Sequence, residues 1–198
     1  MVKIQSKKGT KAMKERTTAR VKMGLLKTMF LVTAILIIWS SSAAAQQSLR
    51  DLAKEFGVDW LAGRWTAKTD DGTTILLVYK WELNGHLLAV DFKMGEYASR
   101  GMIFYEPGGE NATQVSVDNR GSRSKATWEA RDDGALVSKS EYVDVEGNVR
   151  KSAAVYKNID AKTIKIAIYG LDENGELNDK PWFTTDFKRQ PVVKKDAA

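Results

Sequence analysis

The chain has 198 residues, enough for one domain with its own core, and it contains 31 basic and 25 acidic residues, one histidine and no cysteine. The absence of cysteine excludes disulfide bonds and lipid attachment through cysteine, and a single histidine argues against a tetrahedral zinc site. Nine of the basic residues and one acidic residue lie within residues 1–45, so the remainder has 22 basic and 24 acidic residues, a net charge of about −2, and gives no reason to expect a nucleic-acid partner.

Residues 1–45 have the organisation of a secretory signal peptide. A basic stretch precedes an apolar run over residues 29–39, and small residues follow, ending at Ala45. The run has about 11 residues, whereas roughly 20 are needed to cross a bilayer. The sequence therefore predicts cleavage after Ala45 and an exported protein, periplasmic or secreted. Met23 is an alternative start, and an uncleaved leader would be the only membrane attachment.

A short helix is predicted directly after the leader. Ser48 can cap its first turn and Gly57 can end it, which gives a helix over residues 49–56. Leu49, Leu52 and Phe56 recur at helical spacing and share one face. We expect this apolar face to cover one end of the β structure that follows.

The remainder of the chain predicts ten short strands separated by turn signals. The first begins at Gly63, and the others span residues 74–82, 86–93, 99–105, 113–118, 125–130, 136–143, 149–157, 163–169 and 182–189. Asn84-Gly85 is the strongest hairpin signal among these turns. Because no gap can contain a crossover helix, we predict an all-β, antiparallel, up-and-down ten-stranded barrel over residues 46–190, with a flexible tail at 191–198.

Several strands are apolar on both faces. Ile75 and Leu77 share one face of their strand, and Leu76 and Val78 on the other face are also apolar. Such a pattern is compatible with a barrel whose outside is partly apolar, or with contact to another chain, a homo-oligomer included.

The first and last strands carry residues that resemble a known pattern. Gly63-Arg64-Trp65 and the distant Arg189 resemble the calycin pattern of lipocalins and fatty-acid-binding proteins. The resemblance implies that Arg189 packs across the Trp65 indole and ties the two ends of the barrel together. Other stretches resemble exported bacterial lipocalin-like domains of unknown function, and a relation to nitrobindin-type barrels is an alternative. The haem-ligating histidine of nitrobindins has no match here, because the only histidine is His86 in the second hairpin.

Candidate ligand-binding residues are the inward aromatic residues and the single histidine. They are His86, Trp81, Tyr79, Trp128 and Tyr142. His86 alternates with Leu88 and Val90, which allows an inward position as a haem ligand or pocket hydrogen-bonding group; the other interpretation places it at the barrel rim.

No catalytic set is apparent. A serine nucleophile would need His86 as its base, and no nucleophile elbow, phosphate loop or dinucleotide fingerprint is present. The acidic pairs adjoin glycine turns, so we interpret them as turn formers and expect no metal site. We predict no catalytic residues and no cofactor, with haem as the alternative through His86.

These observations favour a non-catalytic carrier that binds a small, largely apolar ligand. One alternative is an interaction module whose filled barrel acts through its outer surface. The other alternative is a haem-binding or enzymatic barrel that uses His86.

Overall fold

The computed structural model describes residues 47–106 and 108–191. The predicted signal peptide, its alternative start at Met23 and residues 192–198 of the predicted tail lie outside the described residues. Among the residues described, no helix is both long enough and apolar enough to cross a membrane.

The described chain consists of one short α-helix followed by ten strands. Helix α1 spans Leu49–Glu55, and two 3₁₀ turns span Asp59–Leu61 and Leu83–Gly85. The strands are β1 Gly63–Lys68, β2 Thr74–Glu82, β3 Leu87–Met94, β4 Tyr97–Tyr105, β5 Ala112–Asp118, β6 Arg123–Ala130, β7 Leu136–Val143, β8 Val149–Asp160, β9 Thr163–Gly170 and β10 Phe183–Gln190.

Each strand pairs antiparallel with its neighbours in sequence, and β1 also pairs with β10, which closes the barrel. The predicted ten-stranded, up-and-down barrel is therefore confirmed. Closure gives the first and last strands hydrogen-bonding partners on both sides and leaves no open edge. The architecture is consistent with a calycin-like fold.

The predicted helix is confirmed, and it ends one residue earlier than expected. The Ser48 hydroxyl accepts a hydrogen bond from the Asp51 amide (3.2 Å), as a capping residue does. Gly57 follows the helix with φ +66°, a conformation that favours glycine. Helix α1 contacts β3 and the 3₁₀ turn before it, so it lies at the barrel end where β2 and β3 are joined.

The second hairpin is present, and its turn has four residues, 83–86, one more than the predicted strand bounds leave. Positive φ values occur at Leu83 (47°), Asn84 (55°) and Gly85 (90°), and β3 begins at Leu87. A Cβ atom at position 85 would lie 2.9 Å from the Arg50 Cβ. The turn therefore uses its glycine for a close approach to α1, and the reversal begins one residue earlier.

A smaller apolar cluster lies on the outside of the barrel. Ala135, Val137 and Val155 are buried there, and Tyr169 and Leu177 pack against them. The connection between β9 and β10 folds back through a bridge from Leu171 to Leu177. This cover buries outward apolar residues next to β7 and β8, and it does not include Leu76 or Val78 of β2.

The ends of the barrel are joined through a buried indole and a guanidinium group. Trp65 is completely buried, and the Arg189 Cζ lies 4.0 Å from the centroid of its ring. The guanidinium donates hydrogen bonds to the carbonyl oxygens of Trp60 (2.6 Å), Ala62 (2.9 Å) and Ala161 (3.1 Å). Arg189 therefore fastens the last strand to the segment that precedes the first.

Gly63 makes this arrangement sterically feasible. Its φ is +146°, and a Cβ atom at this position would collide with the Arg189 guanidinium. The Trp65 Nε1 donates a hydrogen bond to the Leu61 carbonyl oxygen (2.9 Å), which fixes the orientation of the indole. The Gly-X-Trp sequence thus supplies the indole ring of Trp65 and, through Gly63, the space that the Arg189 guanidinium occupies.

Replacing Arg189 by alanine should lower the free energy of unfolding by about 1–3 kcal/mol, because the cation–π contact and three carbonyl partners are lost together. Urea unfolding followed by tryptophan fluorescence measures this change. Thr184→Ala, an exposed position on the same strand, serves as the control and should change stability little. Coinciding unfolding curves for Arg189→Ala and the wild type would contradict this account of the closure.

Candidate functional site

A pocket of about 190 Å³ lies between α1 and the adjacent end of the barrel, and it is partly open to solvent. We call it the helix pocket. It is lined by Leu49, Leu52, Ala53, Phe56, Val58, Leu61, Trp81, Leu88, Ile103, Tyr105, Glu110, Asn111, Ala112, Trp128, Glu129, Ala130 and Leu136. Most of these side chains are aliphatic or aromatic, so an apolar ligand would find few polar groups to desolvate.

The helical wall of the pocket follows from the spacing of apolar residues in the sequence. Leu49, Leu52, Ala53 and Phe56 recur at the intervals that place side chains on one helical face. None of the residues of α1 is fully buried, and Phe56 remains 60% exposed. The helix therefore spans the barrel end without filling it.

The barrel supplies the floor and sides of the pocket. Leu61, Leu88 and Leu136 are buried in the core and form its aliphatic floor together with their neighbours. Trp128 is also buried, and its Nε1 donates a hydrogen bond to the Gln114 side-chain oxygen (2.9 Å). Because its polar atom is already satisfied, this indole can present carbon surface to a ligand.

Three aromatic residues lie together below the pocket and form what we call the aromatic layer: Tyr79, Trp128 and Tyr156. The rings of Tyr79 and Trp128 meet edge to face at 6.5 Å, and those of Trp128 and Tyr156 lie 5.0 Å apart. The two tyrosine hydroxyls are 3.5 Å from each other. Trp128 also lines the helix pocket, and Tyr79 and Tyr156 lie behind it on the side away from α1.

Burial controls the protonation of this layer. Desolvation raises the pKa of Tyr79 well above its ordinary value of 10.0 and raises the pKa of Tyr156 as well. Both hydroxyls therefore stay protonated at alkaline pH values where an exposed tyrosine ionises, so the layer remains uncharged there.

The polar groups of the helix pocket lie on one side of it. Glu110 and Asn111 come from the connection between β4 and β5, and Glu129 comes from the end of β6. Within residues 47–106 and 108–191, no hydrogen bond or ion pair engages either glutamate side chain, and no basic residue lines the pocket. Both glutamates are exposed, and Glu129 lies on the outer face of β6, so they make the rim of the pocket on this side acidic.

The structure brings together only part of the predicted ligand-binding set. Trp81 and Trp128 line the helix pocket, and Tyr79 lies directly behind Trp128. His86 is exposed in the turn before β3 and does not line the pocket. Tyr142 lies towards the opposite end of the barrel, where its hydroxyl donates a hydrogen bond to Asp118 Oδ2 (3.0 Å).

Sequence reasoning missed the contributions of the helix and of the acidic side. Leu52 belongs to the helical face that we expected to cover the barrel end, but the same face, together with Ala53, also forms one wall of the space beneath it. No sequence motif indicated Glu110 and Glu129, because the two residues come to line the same pocket only when the ends of two different hairpins are brought together.

The comparisons add no family or functional assignment to this site. The chain matches no model of a known protein family and no curated protein sequence. Among the described residues, no group of three histidine, cysteine or carboxylate side chains is placed to hold a metal ion.

The tyrosines of the aromatic layer predict a loss of stability at alkaline pH. Because their folded-state pKa values are raised, this contribution is complete below pH 10.0, the ordinary tyrosine value, and is lost as the pH rises above it. Above that pH, ionisation of each tyrosine in the unfolded state should lower the free energy of unfolding by up to about 1.4 kcal/mol per pH unit. Urea midpoints at pH 8, 10 and 11 measure the slope, which should become shallower in the Tyr79→Phe, Tyr156→Phe double variant. An unchanged slope in that variant would refute this assignment.

Proposed function

We propose that the protein binds a small, largely apolar ligand in the helix pocket and acts as a carrier or sensor without catalysing a reaction. The observation that supports this proposal is the apolar pocket of about 190 Å³ between α1 and the barrel end. Burial of apolar surface would supply the affinity, and the acidic side would orient the ligand. Export and membership of the lipocalin-like group remain predictions of the sequence.

The volume of the pocket limits the size of the ligand. A cavity of about 150 Å³ accommodates benzene, so about 190 Å³ suits one ring with a short substituent or a short alkyl chain. This size favours a ligand much smaller than haem. It also argues against the alternative that uses His86, whose exposed side chain is not among the lining residues.

The charges that border the pocket favour one class of ligand. Glu110 and Glu129 would repel a carboxylate and attract an ammonium group, and no basic residue of the lining would offset them. We therefore infer that the ligand is a neutral or amine-bearing apolar molecule rather than a fatty acid.

A second candidate function is an interaction module that acts through its outer surface. The observation that favours it is the exposure of Met102 (44%), Val115 (37%) and Val117 (61%) on the outer faces of β4 and β5. Sedimentation of the purified protein tests one form of this alternative, a homo-oligomer. A concentration-dependent dimer that Met102→Glu dissociates would favour it.

Fluorobenzene should bind in the helix pocket, and fluorine NMR of the ligand measures the binding. Burying about 180 Å² of apolar surface gives about 4.5 kcal/mol, which corresponds to a dissociation constant on the order of 0.5 mM. Ala53→Trp should abolish binding, because the larger side chain occupies the pocket. Lys54→Trp adds the same side chain at the next position, where the native residue is exposed and does not line the pocket, and should leave binding unchanged. Equal affinity in the two variants would contradict the proposed site.

Benzylamine should bind about 3–10-fold more tightly than benzoate, because the two glutamates act on ligands of nearly the same shape with opposite charge. Isothermal titration at low salt measures the ratio, and 0.5 M salt should reduce it through screening. The Glu110→Gln, Glu129→Gln double variant should bind the two ligands about equally. Tighter binding of benzoate by the wild type would disprove the inferred ligand class.

A further inference from the structure

The interior of the barrel has a different composition at the end far from α1. Residues paired across an antiparallel ladder point to the same side of the sheet, so the inward positions can be followed from strand to strand. From Ile103, which belongs to the core, this series passes through six serines on β4 to β8: Ser99, Ser116, Ser124, Ser138, Ser140 and Ser152. The other inward positions among them include the small residues Gly101, Ala126 and Ala154, together with Gln114, Trp128 and Tyr142.

The opposite wall of this half is apolar. Leu77 and Phe92 face inward from β2 and β3, and Ile168 and Phe183 face inward from β9 and β10. One wall therefore offers hydroxyl groups while the wall across from it offers carbon surface. We call this half of the interior the serine cup.

Solvent reaches the serine cup from the end opposite α1. Inward residues such as Ser116, Ser140, Phe92 and Phe183 are partly exposed, although they lie on the inner face of a closed barrel. Side chains on an inner face can be exposed only where the interior itself is open. The aromatic layer lies between the cup and the helix pocket, and none of the six serines lines the helix pocket.

Hydrogen bonding within the cup leaves the hydroxyl of Ser138 for a ligand. Ser116 and Ser124 share a hydrogen bond of 2.6 Å, and Ser140 and Ser152 share one of 3.1 Å. Ser138 is only 6% exposed and lies deep on the inner face, and its hydroxyl makes no hydrogen bond to another residue of the described chain. No buried side-chain nitrogen or oxygen of the described residues lacks a hydrogen-bond partner, so the unpartnered Ser138 oxygen borders accessible space, where a ligand could reach it.

The charges around the cup indicate an uncharged ligand. Between the aromatic layer and the mouth, no inward position of the described strands carries a charged residue; Asp118 and Arg150 face inward only at the mouth. Asp118 already accepts hydrogen bonds from the Tyr142 hydroxyl and from two backbone amides. An ion inside the cup would lack a counter-charge, whereas serine hydroxyls can both donate to and accept from neutral groups.

We propose that the serine cup is a second binding site, which takes a small uncharged ligand with hydroxyl or carbonyl groups along one face and an apolar opposite face. The hydroxyl face of the ligand would lie on β4 to β8, with Ser138 as its deepest partner, and the apolar face would lie against Phe92 and Phe183. The site is independent of the helix pocket and of the ligand proposed there.

Saturation-transfer NMR with methyl β-D-glucopyranoside and hexane-1,2-diol as probes tests this proposal. At least one probe should bind the wild type with a millimolar dissociation constant, and glucose 6-phosphate should bind at least tenfold more weakly. Failure of both neutral probes to bind would overturn the proposal, and so would equal binding of the phosphate.

Variants then locate the binding. Ser138→Ala and Ser140→Val should each weaken it at least tenfold, whereas Thr127→Ala, which removes an exposed hydroxyl from the outer face of β6, should leave it unchanged. Ala53→Trp blocks only the helix pocket and should also leave it unchanged. Because Ser138 makes no hydrogen bond to another described residue, Ser138→Ala should retain the wild-type melting temperature, which separates loss of binding from loss of folding. Undiminished binding in both serine variants would overturn the site.

Discussion

The contact between Arg189 and the Trp65 indole determines the geometry of one end of the barrel. Its guanidinium reaches the carbonyl oxygens of Trp60 and Ala62, which lie just before β1, while its backbone belongs to the last strand. These bonds fix the segment that connects α1 to the barrel. The position of the helix, and therefore the height of the space beneath it, depends on a residue about 130 positions away in the chain.

The aromatic layer imposes a second constraint, because it divides one barrel into two chemically different spaces. Towards α1, leucine side chains and two indoles surround a pocket with an acidic side. Towards the other end, serines face phenylalanines across an open interior. A barrel of ten strands encloses more volume than its side chains must fill. Here the rings of the aromatic layer occupy the middle of the interior, between the two spaces.

Local patterns in the sequence were sufficient for most of the fold. The bounds of β2 and β7 agree with the predicted ranges, because glycine turns and alternating side chains mark both ends. The early reversal at Leu83 was not predictable, since it depends on how closely the turn passes Arg50 of the helix. The same limit applies to the pocket: Trp81 and Trp128 were identified as inward aromatic residues, but Glu110 and Glu129 become neighbours of the site only through the pairing of distant strands. Whether an inward serine borders an open space or packs against another side chain likewise depends on all the other side chains inside the barrel.

The small size of α1 has a consequence for the rate at which a ligand could enter and leave. The helix has seven residues, none of them fully buried, and it takes no part in the strand ladder. Local opening of such a segment costs only a small part of the free energy required to unfold the strands. A ligand beneath it could therefore exchange with solvent while all ten strands stay paired, so its residence time would follow the opening equilibrium of seven residues rather than the stability of the barrel.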